Sequence, residues 1–216
     1  MSLTIYEVVS LLSAVIAVLM LGSKSLPLQV SLFSVQIWLI TGETVFFAYQ
    51  YNHWEFYGVA LILFLQRAVF VPLFLERILR EIHVSRDPGM ILPAPLTMHL
   101  SILFFGLSFF VAQNFPAPGP GGIVVATATA SISHLFSGIV MMLTRRLALS
   151  QIIGFLTIEN GVYLFALTQT NGLPVLIEMA VLFDILGAVM IGGVLVFGIK
   201  RSFEHIDVSQ LKDLKH

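Results

Sequence analysis

The chain has 216 residues, 57% of them hydrophobic and 11% charged, with a net charge of −1 and a mean hydropathy of +0.95. So little polar side-chain material cannot coat a water-soluble globule, and the near-neutral charge gives nucleic acid no electrostatic footprint. Cysteine is absent, which removes disulfides and thiolate ligands for an iron–sulfur cluster, so any redox cofactor is expected in a partner. The class that fits is an all-α integral membrane protein.

Met1 to Glu7 carries no basic stretch, and no small-residue cleavage site follows the first apolar run, so that run is expected to be retained as a span. Seven continuous apolar runs are long enough to cross a bilayer as helices: 5–22, 27–50, 55–79, 97–114, 122–143, 148–169 and 174–199. Their continuity excludes a spanning barrel, whose strands would alternate apolar and polar residues. The basic residues are unevenly spread over the connections. Lys24 follows the first run, Arg77, Arg80 and Arg86 the third, Arg145 and Arg146 the fifth, and Lys200, Arg201, Lys212 and Lys215 the seventh. The other connections have none, so the basic ends are expected on the cytoplasmic side, with the N-terminus outside and the C-terminus cytoplasmic.

The connection from Arg80 to Leu96 holds Pro88, Pro93 and Pro95 and divides the chain. The expected organisation is an N-terminal three-helix unit (1–80), a cytoplasmic loop (81–96), a four-helix unit (97–199) and a solvated tail (200–216). Ser23-Lys-Ser-Leu-Pro-Leu28 before the second span is similar to Thr144-Arg-Arg-Leu-Ala-Leu149 before the sixth. The similarity suggests a duplicated three-helix unit with the fourth span as a connector.

Ionisable residues inside the spans are the candidate functional groups. Glu159 stands 11 residues past Ala148 and Asp184 10 past Pro174, about 15–16 Å along each helix, near the middle of a hydrocarbon layer of about 30 Å. Arg67 and His134 fall at similar depth in the third and fifth spans. Charges at that depth cost about 2.5 kcal/mol or more each and usually mark an ion or proton path. Two readings are open: Arg67 pairs with Glu159 or Asp184 only to hold the bundle, or the four form a lateral relay, with Arg67 tuning the acids. His134, whose ordinary pKa is about 6.5, can serve in either charge state or simply pack. Glu43 and Glu178 lie nearer the outer ends and are candidate exit or accessory groups. The glycines of the last run, Gly187, Gly192, Gly193 and Gly198, suit close helix packing, and the paired phenylalanines 104–105 and 109–110 suit lipid or neighbouring subunits. No hydrolase, nucleotide-binding or metalloprotease motif is present, and no metal site is expected.

Arg145-Arg-Leu-Ala-Leu-Ser-Gln-Ile-Ile-Gly154-Phe-Leu-Thr-Ile-Glu159-Asn160-Gly161, then Leu182-Phe-Asp184 and His205-Ile-Asp207-Val-Ser-Gln-Leu, resemble the hydrogenase-4 component E family along essentially the whole chain. Over residues 121–212 the chain is more distantly similar to the K subunit of respiratory complex I and the C subunit of Mrp-type antiporters. In the K-subunit pattern an acid stands two residues after the glycine and an Asn four after the acid. Gly154 and Asn160 match, but Leu156 occupies the acid's place, and Glu159 stands one turn along on nearly the same face. Asp184 matches the second acid, shortened from Glu; Arg67 and His134 match the component E family's third-helix base and fifth-helix histidine.

The resemblance implies a non-catalytic subunit of a complex-I-like energy-converting hydrogenase or formate hydrogenlyase in a bacterial or archaeal cytoplasmic (inner) membrane. Nickel–iron and iron–sulfur centres would sit in soluble subunits. This chain would join quinone-module-like to antiporter-like membrane subunits and carry protons laterally through Glu159, Asp184, Arg67 and His134. The alternatives are an autonomous cation/proton antiporter component and a structural assembly subunit.

Overall fold

A computed structural model describes residues 5–51, 54–82, 86–87, 91–114, 121–169 and 187. The seventh run other than Gly187, and the tail, lie outside the described residues, and with them Glu178 and Asp184. The described chain is helical: α1 (Ile5–Gly22), α2 (Leu26–Tyr51), α3 (Glu55–Leu63), a π-helical segment (Phe64–Phe70), α4 (Val71–Ile82), α5 (Ala94–Ala112), α6 (Gly121–Thr144) and α7 (Ala148–Gln169). No strand occurs among the described residues, only an isolated bridge between Ser25 and Arg86.

Six stretches are long and apolar enough to cross a membrane, with α3, the π-helical segment and α4 counting as one. They match the first six expected spans, with one difference in kind. The third is not a continuous α-helix. Pro72 has no N–H and its ring crowds the carbonyl of Ala68 four residues back. The turn widens in response, and the Val71 N–H bonds the Gln66 carbonyl five residues earlier. Pro95 stands in the first turn of α5, where its missing donor has no intrahelical partner to lose.

The helices are apolar outside as well as inside. Along α1, Ile5, Val8, Leu12, Val15 and Leu19 are exposed, while Ser10, Ser13, Ala14, Ala17 and Leu21 face inward. Small and polar residues therefore lie in the interior beside large apolar ones such as Met20, Leu21 and Phe33, while the perimeter is apolar too, as expected of helices solvated by lipid. The closest pair is α6 and α7. A Cβ on Gly138 would stand 2.5 Å from the Gly154 carbonyl oxygen, and one on Gly161 2.7 Å from that of Ser131. These glycines let the two backbones touch, and Ser131 Oγ donates across the gap to the Gly161 carbonyl at 2.7 Å. Helix α1 packs on α6, α2 and α5, and α2 also packs on α7, α3, the π-helical segment and α4. Phe109 and Phe110 are exposed, whereas Phe104 is half-buried and stacks on Phe136, the centroids 4.8 Å apart.

Candidate functional site

The widened turn carries Arg67 into the interior, where it is 3% exposed, while Leu65, Val69 and Phe70 remain outside. Its Nη2 lies 3.3 Å from Glu159 Oε2, and its Nη1 donates to Asn160 Oδ1 at 3.1 Å. The guanidinium thus grips two consecutive residues of α7 through its fork of donors. Asn160 Nδ2 donates to Gln36 Oε1 at 3.0 Å, and Gln36 Nε2 reaches the Ser13 carbonyl at 3.5 Å. One polar seam therefore ties the third span, α7, α2 and α1 within the bundle.

Arg67 and Glu159 are the ionisable members of the seam. Asn160 and Gln36 hold geometry but do not ionise. Proton movement beyond the pair therefore requires water or a rotating side chain, not the amides.

Around this seam lie further buried polar groups. Thr44 Oγ1 and the Tyr163 hydroxyl are 2.8 Å apart. Toward the N-terminal end of α1, Thr127 Oγ1 donates to the Tyr6 hydroxyl at 3.1 Å and lies 3.2 Å from Ser10 Oγ. Glu43 is 1% exposed and faces Ser10 across α1 and α2, but neither carboxyl oxygen has a hydrogen bond of good geometry. It lines a cleft of about 270 Å³ with Ile5, Tyr6, Val9, Trp38, Leu39, Gly42 and Phe46.

Of the four residues expected at one depth, Arg67 and Glu159 come together. His134 is fully buried on α6, its backbone side against Gly161 of α7. Its Nδ1 bonds the Ala130 carbonyl at 2.6 Å, and its Nε2 makes no hydrogen bond to Glu159 or Arg67. Asp184 lies outside the described residues, but Gly187, three positions later, abuts the seam. A Cβ on it would meet Glu159 Oε1 at 3.1 Å. Among the described residues, no cluster of histidines and acids suits a metal ion.

A second polar cluster sits at the end of the bundle where α1 leaves and α7 begins. Arg145, in a connection expected to be solvated, is 1% exposed. Its Nη2 donates to the carbonyls of Leu21 (2.6 Å) and Ser23 (2.7 Å), capping the orphan acceptors at the C-terminus of α1. Its Nη1 stands 3.9 Å from Asp87 Oδ2. Burial pulls the Arg145 pKa below its ordinary value, and Asp87 opposes that shift. The Ser150 hydroxyl is shared between Asp87 Oδ2 (2.9 Å) and Gln29 Oε1 (3.3 Å), and the Asp87 N–H donates to the Lys24 carbonyl at 3.0 Å.

Sequence reasoning missed this clasp and Gln36 of the seam, and met Asn160 only as a family position. A signal for both existed in α2: Gln29, Gln36 and Glu43 recur every seven residues, so they share one face of the helix. All three are buried, the first in the clasp, the second in the seam and the third at the cleft.

Among known proteins, the chain is 28% identical over 152 residues to hydrogenase-4 component E of Escherichia coli K12, covering 70% of each sequence. The chain is thus similar to hydrogenase-4 component E over most of its length. The Shigella flexneri component E gives the same identity and coverage. The chain is also 29% identical over 120 residues to the uncharacterized protein Rv0085 of Mycobacterium tuberculosis, spanning about half (52%) of that protein's length. No family model and no solved structure matches. The relationship to component E agrees with the resemblance carried by Arg145–Gly161 and with the multi-span helical architecture.

Proposed function

We propose that this chain is a non-catalytic membrane subunit of a complex-I-like energy-converting hydrogenase or formate hydrogenlyase, and that it carries protons laterally through the membrane. The observation that supports this reading is the Arg67–Glu159 pair at 3.3 Å, 4% and 2% exposed, drawn from two different spans. A buried pair of this kind is costly to keep and is a poor source of stability. It has instead the two states that transfer needs: an acid held charged by a neighbouring base, and an acid left neutral when that base moves away. Asp184 would be the second carrier and His134 a bridging group. Glu43 and Glu178 would be accessory groups toward the outer face.

The assembly proposed for the chain follows from its homologue's name and from the family resemblance. Antiporter-like and quinone-module-like membrane subunits would flank it, and nickel–iron and iron–sulfur centres would lie in other subunits. The basic connections would face the cytoplasm, the N-terminus the outside.

The test is Glu159→Gln and Asp184→Asn in the intact complex, with proton translocation measured per electron pair. The expected result is a lowered ratio at unchanged subunit content, and an unchanged ratio overturns the relay. Reduced abundance of the complex, with normal coupling in what assembles, would identify a structural subunit. Cation/proton exchange by the purified chain in liposomes would identify an autonomous antiporter component.

A further inference from the structure

The cleft between α1 and α2 has a composition that suits one kind of ligand. Its walls are aliphatic (Ile5, Val9, Leu39) and aromatic (Tyr6, Trp38, Phe46), and it carries one acid, Glu43. Trp38 is 56% and Phe46 36% exposed, so its rim lies on the perimeter of the bundle, facing the bilayer. At Gly42 a Cβ would meet nothing within 4 Å, which leaves the mouth open. The Glu43 carboxyl is 1% exposed and lacks a well-formed hydrogen bond at either oxygen, and the Ser10 hydroxyl it faces is already engaged with Thr127. A buried polar group in that condition costs free energy until something bonds it.

We propose that this cleft binds a membrane-dissolved, uncharged lipid with a single hydroxyl head, an apolar alcohol, whose hydroxyl bonds Glu43 while its body lies against Trp38 and Phe46. Three features select that chemistry. Among the described residues the lining contains no basic one, so a phosphate or carboxylate head would meet an acid with no compensating charge. A lone acid in an apolar wall offers a cationic head no further acceptors, and a buried ion pair without them repays little of its desolvation. A neutral hydroxyl both donates and accepts, so it can bond the carboxyl oxygens without bringing a charge into the cleft. The volume of about 270 Å³ admits a headgroup and the first part of a chain; a dry cavity of about 150 Å³ already holds a benzene ring. Glu43 is also an accessory acid of the proposed relay, and occupancy of the cleft is read independently of proton translocation.

The experiment is photolabelling of native membranes carrying the assembled complex with a diazirine-bearing long-chain alcohol, followed by peptide mapping. A diazirine phosphatidylcholine serves as the control for bulk lipid. Expected are saturable labelling of the segment 38–46, competition by unlabelled dodecanol, and labelling reduced about tenfold in Glu43→Leu, the factor for one hydrogen bond of about 1.4 kcal/mol. Gly42→Leu places a side chain at the mouth, its Cβ free of neighbouring atoms, and is expected to abolish labelling with Glu43 intact. Labelling that rises linearly with concentration, equal labelling by the phospholipid, or undiminished labelling in both variants overturns the proposal. Protection of the cleft in the assembled complex, with labelling only in the free chain, also overturns it and makes a partner helix the occupant.

Discussion

Arg67 and Arg145 are both buried guanidiniums facing a carboxylate, yet their donors go to different kinds of acceptor. Arg67 bonds side chains, Glu159 and Asn160, each of which can change rotamer. Arg145 bonds backbone carbonyls, those of Leu21 and Ser23, which are fixed by the end of α1, and its carboxylate stands farther off at 3.9 Å. The first arrangement can rearrange at modest cost; the second is a fastener that closes the chain's connections against one another. A buried arginine is therefore a candidate for function when its acceptors can move, and for architecture when they cannot.

The comparison is broken most directly by replacing both partners of each pair with apolar residues of similar size. At the clasp, Arg145→Met with Asp87→Leu takes the arginine donor from the Leu21 carbonyl, while the Ser23 carbonyl and the Ser150 hydroxyl keep their bonds to Gln29. The expected loss is about 1–3 kcal/mol, the cost of a buried acceptor left without a donor, read as lowered abundance and thermal stability in detergent. At the seam, Arg67→Met with Glu159→Leu is expected to change stability by only about 1 kcal/mol in either direction, while coupling in the complex is lost. Equal damage to stability at both sites would remove the distinction.

Gly138→Ala is expected to be next in size. Its Cβ would fall 2.5 Å from the Gly154 carbonyl, forcing α6 and α7 apart at a cost of about 1–3 kcal/mol; Gly106→Ala, where nothing lies within 4 Å, is the control, and a thermal melt separates the two. The smallest stability effect is expected for Pro72→Ala. It restores a helix donor and allows the widened turn to close, so stability is expected to hold or rise by about 1 kcal/mol. Arg67 would rotate away from Glu159, lowering proton translocation per electron pair. Unchanged translocation in a complex of normal content would show that the widened turn does not govern the pairing.

The spans were legible because each is an uninterrupted apolar run closed by glycine, proline or charge, and the pairing of Arg67 with an acid was legible because a lone charge at that depth needs a partner. The azimuth of each residue was not legible. A helix of nearly uniform apolarity shows no contrast between its lipid and interior faces, so nothing in the run fixed which residues Arg67 would meet. Asn160 was visible as a family position but its bond to Gln36 depends on helix rotation. Arg145 misled for a different reason: a basic pair between spans follows the rule for solvated loops, and only Arg146 obeys it, being exposed.

The seven-residue recurrence of Gln29, Gln36 and Glu43 makes α2 a common shaft for the clasp, the seam and the lipid-facing cleft. Successive positions are separated by about 10.5 Å of helical rise, and a helix transmits axial displacement with little compression. Sliding of α2 by one or two ångströms would loosen the Asn160 bond at 3.0 Å and reshape the cleft in a single stroke. Gln29, anchored at one end to the Ser23 carbonyl at 2.8 Å, sets the stop against which such travel is limited.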